Sequence, residues 1–490
     1  MRLLIPKKYS PRALPQLLWN SPTFTTWGSF ITTSLKGLIL YPFILTRFDT
    51  EEVATWLLFL SAIALSNLMD LGFLGSFSRQ IAYAMGGVKS TVRYQRDYDY
   101  GKDVSGVTNW ELMGKLYGTM GYIFVGLGLM ALLLLSTFGT LAVARTIAFN
   151  TDPNQFWAAW WVIVASVSVG IYGRKYRTVL HGMNYIPLMN RWNIFFNSTG
   201  VVAAIAVLYI FNSILALVIV TQTFSILSIL RDRYLLKHVV EEKRFKDYPS
   251  FFWEPEIFRA VYSPTWRSAL GMFASGGVTE ITGIIYAQVA NAEMLAAYLL
   301  ALRLINLVSA ASRAPFYSKV PLFTRYRAEG KIEALIKNTK RSMAIALYVF
   351  ILGILTVGQF VEPLLSLLQT EVTFVPLSLW LLMSNVWFLE RHHAMHAQTY
   401  GTMNHEPFYI PITISGAINI TLALLLLKPL DVWAFPVAQG FSNLLINNWW
   451  NVKISLRSLG QPAFSYMKTS FILPLIAFIG FQMLLFVARG

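Results

Sequence analysis

The stretch MAIALYVFILGILTVGQFV, from Met343 to Val361, carries no charged side chain. A helix of about 20 such residues, rising about 1.5 Å per residue, crosses the hydrocarbon core of a bilayer. Runs of the same kind recur from near residue 24 almost to the C-terminus. The 490-residue chain is 55% hydrophobic and 13% charged, with a mean hydropathy of +0.52. Soluble domains carry about 25% charged residues. Only helices and closed barrels satisfy their backbone polar groups in lipid, and runs this long are helical. The sequence therefore predicts an all-α polytopic membrane protein.

Thirteen spans are expected: 24–46, 53–83, 113–140, 155–181, 189–211, 213–236, 264–290, 293–320, 340–362, 373–399, 408–427, 432–456 and 465–488. The break at Phe211-Asn212-Ser213 offers little besides a polar dipeptide to turn the chain. With no cysteine, the chain has neither a disulfide nor a zinc–thiolate site nor a cysteine nucleophile. Residues 1–23 are polar and basic, with Pro6, Pro11 and Pro15, and lack the apolar centre of a cleavable signal peptide. The first span is expected to act as its own insertion signal.

The net charge of +16 is distributed by topology. All but seven of the 40 Lys and Arg residues fall on one side of the thirteen spans. The other side holds Arg47, Arg145, Lys428 and Arg489, while Lys36, Arg303 and Arg391 lie within spans. Cytoplasmic loops carry such an excess, which puts the N-terminus in the cytoplasm and, with an odd number of spans, Gly490 outside. The basic balance thus faces anionic lipid, and nucleic acid is not an expected partner.

Two parts of the chain echo one another. Gly28-Ser29-Phe30, Ala54-Thr55-Trp56 and Asn67-Leu68-Met69-Asp70 recur in position as Gly271-Met272-Phe273, Ala297-Tyr298 and Ala310-Ala311-Ser312-Arg313. His181-Gly182-Met183-Asn184-Tyr185-Ile186-Pro187 faces Tyr400-Gly401-Thr402-Met403-Asn404-His405-Glu406-Pro407. The offset changes across the charged loop near residues 87–110. The reading is two six-helix repeats in the same orientation, forming two lobes around a central cavity. The N-terminal lobe covers 24–236, a cytoplasmic linker 237–263, the C-terminal lobe 264–457, and an additional helix 458–490. Transporters built from repeats hold substrate where the repeats meet.

An ionisable group inside a span costs about 2.5–3.5 kcal/mol even on lenient scales, so it faces the bundle interior. Lys36, Glu280 and Arg303 fall near the midplane, with Asp70, Arg313, Glu390 and Arg391 nearer the cytoplasmic side. Ser29, Thr32, Thr33 and Lys36 share a helical stripe, as do Arg303, Asn306, Ala310 and Arg313. These read as a cavity wall binding substrate, and the repeat offset suggests the pairs Lys36–Glu280 and Asp70–Arg313. The bland alternative is static pairing that only steers helix packing.

Glu390-Arg391-His392-His393-Ala394-Met395-His396 has the spacing of zinc ligands on one helix face. Six histidines in all are too few for the histidine boxes of membrane desaturases, and no metal is expected. Glu390, Arg391, His393 and His396, with Arg79, are read instead as a polar cavity mouth or a proton-coupling group. Asn197-Ser198-Thr199 matches a glycosylation acceptor but lies in a span, and Gly126-Leu127-Gly128 is a helix-packing feature. No nucleotide-binding loop occurs, so direct ATP coupling is not expected.

The run Tyr41-Pro42-Phe43-Ile44-Leu45-Thr46-Arg47, then Thr50-Glu51-Glu52-Val53-Ala54-Thr55-Trp56, then Met69-Asp70-Leu71-Gly72-Phe73 and Arg79 resembles the first two spans of bacterial polysaccharide flippases. These O-antigen or lipid-linked oligosaccharide transporters belong to the multidrug/oligosaccharidyl-lipid/polysaccharide exporter superfamily. Ala54 stands where that family often has glycine. The resemblance implies a V-shaped pair of six-helix lobes in the bacterial inner membrane. It implies alternating access that flips a polyprenyl-pyrophosphate-linked oligosaccharide to the outer leaflet. Coupling to a gradient of H+ or Na+ is implied, with no other cofactor and with polysaccharide-assembly proteins as partners. Arg303, Lys36 and Arg313 would take the anionic head, since arginine pairs phosphate bidentately. Asp70 and Glu280 would be their partners or proton carriers. The alternatives are a multidrug or cation antiporter of the same superfamily, a membrane enzyme of polysaccharide assembly, and a major-facilitator carrier.

Overall fold

A computed structural model describes residues 22–70, 72–88, 107–239, 251–403 and 408–489. The N-terminal segment 1–21, most of the charged loop near 87–110, the middle of the linker, and Asn404 to Pro407 of the second echo lie outside the described residues. The described chain is helical throughout, as its composition predicts. Among the described residues, ten helical stretches are long and apolar enough to cross a membrane, and the protein is a multi-pass membrane protein.

A 24-residue helix, Pro22–Leu45, covers the first expected span. The span at 373–399 forms a helix, Leu377–Gly401, but its histidines and charges lower its hydropathy. The spans at 408–427 and 432–456 run together as one stretch, Tyr409–Leu459. Asp431, with φ 49°, turns the chain between them.

In chain order the helices are α1 (Pro22–Leu45), α2 (Thr50–Ser66), α3 (Phe73–Met85), α4 (Trp110–Leu134), α5 (Thr140–Ile147), α6 (Pro153–Gly182), α7 (Ile186–Phe211) and α8 (Ile214–Val239). Then come α9 (Pro255–Met272), α10 (Val278–Ala287), α11 (Ala292–Tyr317), α12 (Val320–Ala328), α13 (Ile332–Leu367), α14 (Leu377–Gly401) and α15 (Tyr409–Leu430). The last four are α16 (Ala434–Ser442), α17 (Asn448–Leu459), α18 (Ala463–Met467) and α19 (Leu473–Arg489). Wider π turns interrupt four long helices at Leu135–Gly139, Phe273–Gly277, Asn443–Asn447 and Lys468–Ile472.

Local chemistry sets the boundaries. Asp49 and Glu52 form a reciprocal capping box that starts α2. Asn109 caps α4 by accepting from the Leu112 amide at 2.9 Å, and Asn291 caps α11 through Met294 at 2.8 Å. The break after Phe211 is made by Asn212 in the left-handed region, φ 44°; asparagine enters that region more readily than most residues. Ser213 then donates to Gln155 Oε1 at 2.6 Å, which ties the turn to α6.

The chain forms two compact units. The first comprises Met1–Ile44, Met69–Thr137 and Asn154–Trp266; the second comprises Leu45–Leu68, Phe138–Pro153 and Arg267–Gly490. This partition cuts across the lobes drawn from the repeats: the chain leaves one unit for the other in the 3-10 turn Asn67–Asp70 and in the π turn Leu135–Gly139. The first unit is organised around Phe77, Leu116, Phe124, Ile171 and Leu180. In it a Cβ at Gly128 would stand 2.9 Å from the Ser168 carbonyl oxygen, so glycine lets α4 lie directly on the backbone of α6. In the second unit α2 lies along α10 and α11, α14 lies along α17, and Phe388 stacks on Phe478 at 4.7 Å.

Candidate functional site

In the second unit three helices converge on one guanidinium. Arg303 of α11 donates through Nη1 and Nη2 to the two carboxylate oxygens of Glu280 on α10, each at 3.2 Å. Nη2 also donates to Ser61 Oγ of α2 at 2.5 Å and to the Leu57 carbonyl at 3.4 Å. The side chains of Arg303 and Glu280 keep only 12% and 13% of their surface. Arg303 Nε is buried without a protein partner. Beside them Thr282 and Tyr298 share a hydroxyl–hydroxyl bond of 2.9 Å. Tyr298 stacks on Phe435 at 5.3 Å, so an aromatic wall adjoins the ion pair. A parallel two-bond fork of this kind is the strong form of an ion pair in an apolar setting.

The first unit has its own pair. Asp70 closes a 3-10 turn, accepts from the Gly72 amide at 3.1 Å, and meets Arg174 of α6 at 3.2 Å. Glu280 and Asp70 thus each have an arginine inside their own unit, Arg303 and Arg174, as buried Asp232 has Arg231. The repeat offset suggests Lys36 and Arg313 in those places. Lys36 is half-buried on α1 and makes no ion pair among the described residues. Thr32 and Thr33 bond back to the carbonyls of their own helix and receive Asn197 Nδ2 of α7, at 3.5 and 2.9 Å. Asn306 is half-buried, while Arg313 and Arg79 are exposed.

The polar end of α14 is interior to the second unit. Arg391 donates to Ser309, Glu390 accepts from Gln439 Nε2 at 2.6 Å, and His393 Nδ1 meets Asn448 Oδ1 at 2.7 Å. His392, His393 and His396 are all buried. No group of three or more His, Cys, Asp or Glu side chains among the described residues is arranged to hold a metal ion.

Three participants escape a reading of the sequence. Arg174 reads as one more topogenic charge at a span end, yet it is the partner of Asp70. Ser61 is one small residue among many in an apolar run, and nothing local marks it. Lys175 keeps 1% of its surface, less than any span charge singled out from the sequence. Its ammonium lies 4.2 Å from the Tyr172 ring centroid and 5.2–5.3 Å from those of Tyr117, Tyr176 and Phe251. The ammonium also donates to the Tyr172 hydroxyl at 2.6 Å, so that hydroxyl and the surrounding rings take the place of a carboxylate. The signal in the sequence was Tyr172 and Tyr176 flanking it.

Comparison with solved structures covers nearly the whole chain. An inward-facing multidrug resistance MATE family transporter of the MOP superfamily superposes with a TM-score of 0.62 at 12% identity, over 89% of this chain and 96% of that one. The outward-facing conformation of such a transporter gives 0.56 at 13% identity, over 91% and 98%. The chain has the fold of a MATE transporter. The MATE multidrug transporter DinF-BH shares it as well, with a TM-score of 0.60 at 15% identity over 92% and 97%. No family model matches the sequence, and no curated protein matches it. The MATE fold sets the helical architecture; at these identities it says nothing of cargo.

Proposed function

We propose that this protein is a transporter that carries a polyprenyl-pyrophosphate-linked oligosaccharide across the bacterial inner membrane by alternating access. The cargo is an O-antigen or another surface-polysaccharide unit, and transport is driven by a proton gradient. The observation that carries the reading is the closed fork between Arg303 and Glu280. A guanidinium fork binds a carboxylate or a phosphate with the same geometry, and it binds one at a time. The pyrophosphate of the cargo therefore competes with Glu280 for Arg303. A proton on Glu280 removes its charge and releases the fork to the cargo; loss of that proton returns Glu280 and expels the cargo. Ser61 and the Leu57 carbonyl hold the guanidinium in place during the exchange. Asn306, on the same helix as Arg303, is a polar group suited to sugar hydroxyls. Polysaccharide-assembly proteins are the partners this reading implies.

The test is reconstitution into vesicles with a fluorescent polyprenyl-pyrophosphate oligosaccharide, scoring its movement between leaflets under a pH gradient. Movement is expected to follow the gradient in the native protein. In Glu280→Gln the head group binds at least as tightly, and gradient dependence is lost. Arg303→Ala abolishes both binding and movement.

A second reading has a specific observation in its favour. The solved structures that share the fold are named as multidrug transporters, so a multidrug antiporter is the natural rival. Its cargo is commonly cationic and would need an acid free to receive it. Against it stands the pairing of both Asp70 and Glu280 with arginine. Gradient-driven export of a small organic cation, with no movement of the lipid-linked oligosaccharide, would reverse the order of the two.

A further inference from the structure

The first turns of α13 gather positive charge that the protein does not neutralise. Lys337, Lys340 and Arg341 stand directly ahead of the uncharged run Met343–Val361. Their spacing places all three on one helix face. None of them makes an ion pair among the described residues.

The three line an open cavity of about 520 Å³ in the second unit. The facing wall comes from the end of the chain: Gln461, just after α17, and Thr469, in the π turn that leads into α19. Lys340 fastens one wall to the other. It donates to the Ser465 carbonyl oxygen at 3.0 Å and lies 5.6 Å from the centroid of the Tyr466 ring. An ammonium has three donors, so that bond leaves two for a ligand. Among the described lining residues Glu333 is the one acid, set against three cations. The cavity is therefore suited to an anion.

Its surroundings decide which anion. Ile336 and Ala344 complete the lining. Beyond Arg341 the same face of α13 continues with Ile345, Tyr348 and Leu352, all apolar and exposed. Leu473 and Ile476 of α19 are exposed in the same way. The two helices pack together, with Phe350 against Phe478 at 6.5 Å. A small soluble anion gains nothing from this apolar track, whereas a lipid lays its acyl chains along it. Basic side chains at the end of a span lie at headgroup level. The loop charges assign this end of α13 to the cytoplasmic leaflet, which is anionic.

We propose that the cavity holds the phosphodiester headgroup of an anionic phospholipid from the surrounding bilayer, and that the bound lipid bridges α13 to the additional helix 458–490. Lys337, Lys340 and Arg341 take the phosphate, the arginine through two parallel bonds. Gln461 and Thr469 take the polar remainder of the headgroup. The additional helix thus completes a lipid site that α13 alone leaves half-built. The inference does not depend on what the transporter carries.

The experiment is native mass spectrometry of the full chain, delipidated in detergent and titrated with dioleoylphosphatidylglycerol or with dioleoylphosphatidylcholine. Each cation near an anionic headgroup is worth roughly fivefold in affinity, so the native protein is expected to prefer phosphatidylglycerol by at least roughly tenfold. Lys337→Gln with Arg341→Gln is expected to weaken phosphatidylglycerol by at least roughly tenfold and to leave phosphatidylcholine unchanged. Arg233 and Lys237 of α8, exposed in the first unit at the same spacing, are the control. Neutralising both to Gln removes the same charge and is expected to change phosphatidylglycerol binding less than roughly twofold. A photoactivatable phosphatidylglycerol is expected to label segments 333–344 and 461–469 of the native protein. Inorganic phosphate in excess should leave the lipid bound. Equal affinity of the native protein for the two lipids, or labelling of neither segment, overturns the proposal whether or not the variants fold. Equal losses from the two charge pairs, or displacement by inorganic phosphate, overturn it too. So does a polyprenyl pyrophosphate that labels these segments where phosphatidylglycerol does not.

Discussion

Arg303 and Glu280 carry the proposed chemistry, and they also carry stability. Removing one partner of a buried pair strands the other, at a cost of about 3–5 kcal/mol. Arg303→Ala is therefore expected to lower the unfolding temperature in detergent sharply, and Glu280→Gln alone to lower it less. The double variant Arg303→Ala with Glu280→Gln should recover most of the loss, because neither charge is then unpaired. If the two single effects simply add in the double variant, the pair is not coupled and the fork has no hold on either residue. Arg303→Lys should restore only part, since an ammonium cannot bond both carboxylate oxygens in parallel. That these two residues lie in the interior was legible in the sequence, because charge inside an apolar run is expensive. Which charges meet was not: the repeat offset matched Glu280 with Lys36, whereas its partner lies 23 residues along the chain at Arg303.

Among elements, α4 shows how a short motif divides. Gly126 and Gly128 look alike in sequence, and both read as helix-packing residues. Only Gly128 meets another backbone; a Cβ at Gly126 would meet nothing within 4 Å. Gly128→Ala is expected to destabilise by about 1–3 kcal/mol through overpacking. Gly126→Ala should be neutral or stabilise by up to about 1 kcal/mol, from helix propensity alone. Parallel thermal melts of the two variants check this, and equal shifts would contradict the contact between α4 and α6. The turn between α7 and α8 is a second case. Asn212→Ile forces a branched side chain into the left-handed region and should cost about 1–2 kcal/mol, while Asn212→Gly should cost little. Sequence alone marked that break weakly, because its strength comes from Ser213 reaching Gln155 on another helix.

For the whole molecule, orientation in the membrane is the property most open to test. The loop charges predict a cytoplasmic N-terminus and an external C-terminus. A C-terminal fusion to a reporter active only outside the cytoplasm should be active, and activity of a cytoplasm-only reporter at that end would refute the orientation. By itself the sequence determined that the chain is helical and lives in a membrane, since runs such as Met343–Val361 have no other low-energy state in lipid or water. Only the tertiary structure decided that Asp70 takes Arg174, that Ser61 steadies Arg303, and that His392 lies stacked on Phe471 while His393 bonds Asn448. Burial in lipid is a sum over each segment's own residues, and so it is readable locally. Pairing depends on which helices meet and in what rotation, and no single segment contains that information.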